Sequence, residues 1–543
     1  MKKVFFAFFA AAALLCACNK EKVNDTGEPL FVDFTVTPAA VYVGEAVSLD
    51  ADVKGGATPY NYKWKIGDEE QALNRPSLTY TFSSSNSYVV KLEVTDGKGA
   101  VAQKQKVVVV NAPKIPEEGE LALNWVGKMM GYNTKSAAAV ADDGSVYSTC
   151  RDNKLYKWSS TGNSVWVKDI LSGVASTVVG YGTPSIDTDG TVFISSGNSD
   201  GKGVLKAFKA DGSLKWNFSE WYASSGTPAP TTQGTLAAID GDNVYFGHTG
   251  TNGIVMSVNK STGARNGFCA PAGGARSGIV ISKNGYACWF GGKYGAFGIA
   301  ETALDAGGND PLTGQWRAFA SKQATNSYEG QIALVNIASE PCVTGVYTDE
   351  TGTKVYAVKA SDGTVVSETY ITDTETQDQG GVVVDKNGYV IASLNNTLGS
   401  DNGGIAIVDP ASGTLVARFR TQEKVSGSPA VDKAGNIHFG TESGYYYVVK
   451  QNGSDCDLLV KRNLATLITG DHRYAAVFED LGTAKIWSSP VIGDDGKIYI
   501  CFTDNATRAF GGVACLSFEG CQGPADSDWP MIGHDRRHTG KQN

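Results

Sequence analysis

Histidine is scarce in this sequence, five in 543 residues, and two of the five stand in the closing run WPMIGHDRRHTG as His534 and His538. A metal or proton-transfer site built on that pair needs a third donor close by, and the run holds no cysteine. The other three, His248, His438 and His472, are scattered, and His438 falls in the strand-like IHFG, where packing is expected. No HExxH or Walker A element occurs, and no CxxC or Cys/His cluster, so no catalytic residue and no metal ligand is assigned. Acidic turns such as DTDG and GDDG look like pieces of a calcium loop, but the longer array ending in Glu is missing. Turn chemistry explains them, which leaves room for a stray structural calcium.

A different chemistry is written into several loops. Trp221 and Tyr222 in SEWYASSG, Tyr294 in GGKYG, Tyr328 in SYEGQ, and His472, Arg473 and Tyr474 in TGDHRYAAVFED set aromatic rings beside polar side chains. Rings can stack on sugars while polar groups hold hydroxyls, so these seven residues are the candidate ligand-binding set. The same residues would serve equally to pack a loop onto its scaffold or to meet a protein partner. Carboxylates, Arg, Tyr and His gathered from separate loops could also cleave a polysaccharide, as a lyase or a glycoside hydrolase.

The N-terminus, MKKVFFAFFAAAALLCACNKEK, has two lysines and an apolar run too short to span a bilayer. LCAC resembles the bacterial lipobox. The resemblance implies a signal peptide over 1–17, cleavage before Cys18, and a lipid on its sulfur that ties the chain to a membrane. CNKEKVND weakly resembles the export signals of Bacteroidetes lipoproteins, and the expected location is the outer membrane, on the cell surface. The formal charge of −9 argues against a nucleic-acid partner. Eight cysteines follow Cys18, an even number that would permit disulfides in an exported protein, though isolated thiols fit them too.

The elements that must position these residues are strands. After a polar tether over 18–30, FVDFTVTP, EAVSLDADV, YNYKWKIGD, LTYTF and YVVKLEVTDGKG alternate apolar and polar residues with period two. They predict a small Ig-like β-sandwich over 31–112. YKWKIGD and YVVKLEVTDGKG resemble the PKD (polycystic-kidney-disease) domain family, which implies a spacer rather than a catalyst. A Pro- and acid-rich linker covers 113–119. From 120 to 543 a unit of strand, Asp-Gly turn, strand, loop, strand, turn and strand recurs at steps of about 44 to 51 residues, in the range of four-strand propeller blades. Seven clear units and a degenerate one, with TKVYAVKASDGTVV as its last two strands, predict an all-β protein whose second domain is an eight-bladed β-propeller.

KADGSLKW and SSTGNSVW resemble the tryptophan-docking repeat of the PQQ-like propeller superfamily. The quinone-dependent members of that family set an adjacent Cys-Cys disulfide over the cofactor; no such pair follows the signal peptide here, so no cofactor is assigned. Trp158, Trp166 and Trp216 are expected to pack blade on blade. WPMIGHDRRHTG resembles a C-terminal element of PQQ-like repeat proteins, which makes it a closure clasp. ELALNW would complete the last blade, with Trp529 packed over that seam. The expected function is a non-catalytic, lipid-anchored binding protein whose partner is a polysaccharide or, alternatively, an outer-membrane protein.

Overall fold

The computed structural model describes residues 24–25, 27–84, 86–111, 119–133, 135–170, 182–196, 204–218, 235–248, 254–269, 274–291, 294–305, 315–319, 330–349, 351–372, 380–395 and 403–543. The chain divides into two compact units, Met1–Lys114 and Ile115–Asn543.

The first unit is a sandwich of two sheets. One holds Phe31–Thr37, Ala46–Lys54 and Ser77–Thr81; the other holds Val41–Tyr42, Val101–Asn111, Asn86–Thr95, Asn61–Ile66 and Glu69–Gln71. Alternation puts every second side chain inward, so Val32 and Phe34 from one sheet meet Trp64, Leu92 and Val94 from the other. Trp64 is fully buried, edge-on to Phe34 at 5.3 Å, and its indole N–H donates to the Arg75 carbonyl at 3.0 Å. The inner ring is thereby apolar on its faces and satisfied at its one polar atom.

Among the described residues, the second unit holds eight antiparallel sheets in succession. The first is Ala139–Val140, Val146–Cys150, Lys154–Trp158 and Ser164–Asp169; the seventh is Ala430–Val431, Asn436–Gly440, Tyr445–Asn452 and Asp455–Asn463. The stretch that looked degenerate is a regular fifth sheet, its last strands Gly352–Lys359 and Val365–Thr372. In the eighth sheet, Ile498–Asp504 and Gly511–Ser517 come from the end of the domain. The outer strand, Ala122–Met129, comes from its start and pairs antiparallel with Gly511–Ser517. The ring closes by that pairing, as ELALNW suggested.

Every junction between neighbouring sheets carries a hydrogen bond near the inner strands. Thr149 Oγ1 donates to the Gly182 carbonyl (2.9 Å), Ser185 Oγ to Ala237 (2.7 Å), and the Ile279 amide to Leu236 (3.1 Å). Gln331 accepts from the Gly278 amide through its side chain (2.8 Å) and from the Val382 amide through its carbonyl (3.2 Å). Ser393 Oγ donates to Gly427 (2.5 Å), the Ser428 amide to Ser489 Oγ (2.8 Å), and Thr503 Oγ1 to Asn133 across the closing junction (2.5 Å).

Farther out the junctions are tied by tryptophan. The indole N–H groups of Trp166, Trp216 and Trp316 donate to the carbonyls of Ala210, Lys260 and Ala360, each 44 residues on, at 3.2, 3.0 and 2.7 Å. Trp125 makes the same bond to Ser160 at the closing junction, at 3.1 Å. The ring lies flat on a glycine of the next blade's last turn. A Cβ at Gly263 would come 2.7 Å from the Trp216 ring, and its φ of +72° is one that side chains rarely adopt, so only glycine meets both demands. Trp158 packs instead against Gly127 of the eighth sheet, with its N–H on Ser148 Oγ at 3.0 Å.

Candidate functional site

The closing run is a plug laid against the inner strands. Asp528 accepts the Asn336 amide (2.7 Å). The carbonyls of Trp529 and Pro530 accept the amides of Val384 (2.7 Å) and Val431 (2.8 Å). Farther on, the carbonyls of Arg536, Arg537, Thr539 and Gly540 accept the amides of Val140, Ile186, Ile239 and Ile281, at 2.7 to 2.8 Å. The eighth sheet is reached by the Arg536 guanidinium, 2.8 Å from Asp494, which also pairs with Asp142 of the first at 2.7 Å. The tail thus touches all eight sheets.

Trp529 is fully buried with Val335, Tyr356 and Val384 of the fifth and sixth sheets. It does not cover the strand seam, which corrects the expected placement: the seam is already closed by the pairing of Ala122–Met129 with Gly511–Ser517, and the tail crosses the ring. His534 stands edge-on to Trp529 at 5.1 Å, and His538 Nδ1–H donates to the Pro184 carbonyl at 2.9 Å. Both imidazoles serve the plug.

Of the candidate binding residues, Trp221, Tyr222 and Tyr328 lie outside the described residues, as does Cys18. Tyr294, in the fourth sheet, packs beside Trp289 and Phe297, with the Arg317 guanidinium 5.7 Å from its ring. The other three sit together on an insertion between the seventh and eighth sheets, which begins with the helix Leu464–Thr469. Asn463 caps that helix by accepting the Thr466 amide at 3.0 Å. Arg473 donates to the carbonyls of Leu123 (2.8 Å) and Asn124 (3.1 Å) and to Asp471 (2.6 Å). It clamps the insertion onto the closing strand, and it holds the Asp471 carboxyl down at about 2. Tyr474 packs onto the core beneath it, 5.1 Å from the guanidinium. The His472 side chain is 96% exposed, its Nδ1 3.9 Å from Asp471 Oδ1.

His472 and Arg473 line a cleft of about 730 Å³. Leu121, Leu123 and Leu467 give it apolar surface, and Arg462, Asn463, Thr466 and Asp471 give it polar surface. Tyr294 is not among its lining residues. Arg462 and Asn463 carried no sequence signal, because they end an ordinary outer strand whose neighbour is set only by the ring.

The acidic turns are held by their own amides: Asp143 accepts from Ser145, Asp189 from Thr191 and Asp495 from Lys497, at 2.8, 2.8 and 3.1 Å. The eight cysteines from Cys150 to Cys521 are all buried free thiols. Burial alone pushes Cys501 up to about 12, which leaves its sulfur an inert neutral thiol. Where the sequence offered no metal ligands, the fold gathers Asp432, His438 and Cys521, all buried, with one donor atom from each within 4.8 Å of the others. Asp432 and His438 are near neighbours, but Cys521 lies too far along the sequence for spacing to show the group.

Residues 31–111 match the family model of the PKD domain, and residues 85–285 match the model described as outer membrane protein assembly factor BamB. The two overlap at 85–111, where Asn86–Thr95 and Val101–Asn111 are strands of the sandwich. No curated protein matches the chain. Among solved structures it is similar to a europium-containing methanol dehydrogenase (TM-score 0.52, 12% identity, 73% of this chain and 93% of that one). It is similar also to the quinohemoprotein alcohol dehydrogenase ADHIIG of Pseudomonas putida HK5 (0.50, 11%, 75% and 77%) and to BamB from Moraxella catarrhalis (0.49, 12%, 74% and 99%). At such identities the likeness is one of fold. The chain carries a PKD domain followed by a PQQ-like, BamB-like β-propeller repeat domain.

Proposed function

We propose that this protein is a non-catalytic binding protein, exported and lipid-anchored through Cys18 in the outer membrane, whose propeller presents a surface to an extended polysaccharide. The observation that carries the binding reading is the cleft between the insertion and the closing strand. It joins apolar surface from Leu121, Leu123 and Leu467 to hydrogen-bonding groups from Arg462, Asn463 and the exposed His472, while Arg473 fixes its wall. Such a groove binds by shape and hydrogen bonding. A second reading, a scaffold for an outer-membrane protein, is favoured by one feature of the same cleft: among the described residues no Trp, Tyr or Phe lines it, so it offers apolar and charged contacts without a broad stacking platform.

Affinity electrophoresis of the chain from residue 19 onward, in gels containing plant and host polysaccharides, tests the first reading. Retardation by at least one glycan is expected, and His472→Ala should weaken it about two- to tenfold, the worth of one hydrogen bond. New reducing ends or unsaturated products would replace binding with cleavage. No retardation, together with a membrane protein that co-purifies with the anchored chain, would replace it with the scaffold. Anchoring is checked separately: Cys18→Ala should move the chain out of the membrane fraction.

A further inference from the structure

His438 breaks a rule that the other blades keep. The residue opposite the inner strand at this register is Tyr147, Phe193, Tyr245, Cys288, Ile391 or Tyr499 in six other sheets, each buried. The seventh sheet puts an imidazole there, pairing His438 with Ala430, with no exposed surface. A polar ring in an apolar slot requires partners. They come from separate stretches: Nε2 lies 3.2 Å from Asp432 Oδ2, and Nδ1 lies 3.2 Å from the Tyr446 hydroxyl.

The third member arrives from the next blade. Cys521 stands on the loop that leaves Gly511–Ser517 and becomes the tail. That loop is tied to the seventh sheet by the Lys433 amide on the Gly523 carbonyl (3.0 Å) and the Ala525 amide on Val431 (2.9 Å). Donor atoms of Cys521, His438 and Asp432 all fall within 4.8 Å of one another. Tetrahedral zinc with bonds of about 2.0–2.3 Å needs ligand atoms about 3.3–3.7 Å apart, so the 3.2 Å separation already present between Asp432 and His438 is close to that of a bound pair.

We propose that Asp432, His438 and Cys521 form a structural zinc site that staples the start of the tail to the seventh blade. Imidazole, thiolate and carboxylate suit zinc. One thiolate and one carboxylate balance the dication, so the filled site is neutral where burial would penalise charge. Its outer shell is in place: with Nε2 on the ion, Nδ1–H donates to Tyr446, and the carboxylate is oriented by the Asn436 amide (2.9 Å) and side chain (2.8 Å). Cys521 is the only ligand with exposed surface, 9%, and a water completing the shell enters beside it. The site is independent of whatever the cleft binds.

The test is cobalt titration of the reduced, chelator-treated full chain. The expected result is about one ion per chain, with tetrahedral visible bands and a sulfur-to-metal charge-transfer band in the near ultraviolet, displaced by zinc, and a melting temperature that rises with zinc. Cys521→Ser should abolish the charge-transfer band, and His438→Tyr, which installs the residue that three sibling blades carry, should weaken binding at least roughly tenfold. A folded native chain that gives no charge-transfer band and no zinc-dependent rise overturns the site. A band that survives in folded Cys521→Ser places the metal on another thiol and overturns it too. Should either variant fail to fold, the native chain's band and melting shift decide alone.

Discussion

At four junctions of this ring one indole spans the neighbouring sheets. Trp216 spans the junction of the second and third sheets, its N–H on Lys260 and its ring on Gly263. Trp216→Ala removes a buried ring that its neighbours cannot replace and should cost about 3–5 kcal/mol in urea unfolding monitored by circular dichroism. Gly263→Ala, a change of one methyl, should cost about 1–3 kcal/mol through overpacking and backbone conformation together. Titration acts at another residue. Complete burial holds His538 down to about 4. A histidine whose folded pKa lies below its unfolded value of about 6.5 binds protons preferentially when the chain unfolds. Its contribution is whole above about pH 6.5 and is lost as pH falls toward 4. Asp535 follows at lower pH: burial raises its pKa, but His534 and the Thr539 hydroxyl outweigh that and hold it at about 2. His538 therefore pulls the melting temperature down between pH 6.5 and 4, while Glu301, whose carboxyl burial pushes up to about 7, acts the other way; over that range the melting temperature of His538→Gln should fall less, or rise more, than that of the native chain. The tryptophans were legible in the sequence because the repeat spaces them. The duty of Arg473 was not, because the carbonyls it holds, Leu123 and Asn124, lie about 350 residues earlier in the chain.

The tail is the element on which most of the molecule depends. Its carbonyls and the Asp528 carboxylate accept amides from seven of the eight sheets, and Arg536 reaches the remaining one. Removing 529–543 strips all of those partners except Asp528 from buried inner strands, and an unpartnered buried amide is costly. The truncated chain should melt at least roughly 5–10 °C lower in calorimetry; an unchanged midpoint would deny the plug its role. That this run belongs to closure could be read from its composition and position. That it contacts every sheet could not, since main-chain hydrogen bonds to inner strands leave no trace in side-chain identity. The insertion gives the reverse case: DHRY reads as a binding loop by residue type, yet Arg473 and Tyr474 bond to or pack on the scaffold, and His472 is exposed far more than Arg473, 96% against 45%.

On the scale of the whole molecule, the sandwich and the ring are two compact units. Residues 31–111 hold their own core around Trp64 and Phe34 and should unfold alone with a sharp transition that truncating the tail leaves unchanged. Period-two alternation made the strands of both bodies readable, and turn chemistry placed the breaks between them. What pattern did not supply was convergence: the cleft, the plug and the group of Asp432, His438 and Cys521 each join segments that only the closed ring brings near one another.

That closure also sets a timetable. Ala122–Met129 is made before any blade, and Gly511–Ser517, with which it pairs, comes about 390 residues later. At a synthesis rate on the order of 5–20 residues per second, the first strand waits for roughly 20–80 seconds as an unpaired edge while the blades accumulate beside it. Contacts of such long range are slow to form and leave a partly made chain open to mispairing. The nascent ring therefore needs something to cover its leading strand, and a chain stopped before residue 511 should be recovered with chaperones or in aggregates rather than as a smaller ring.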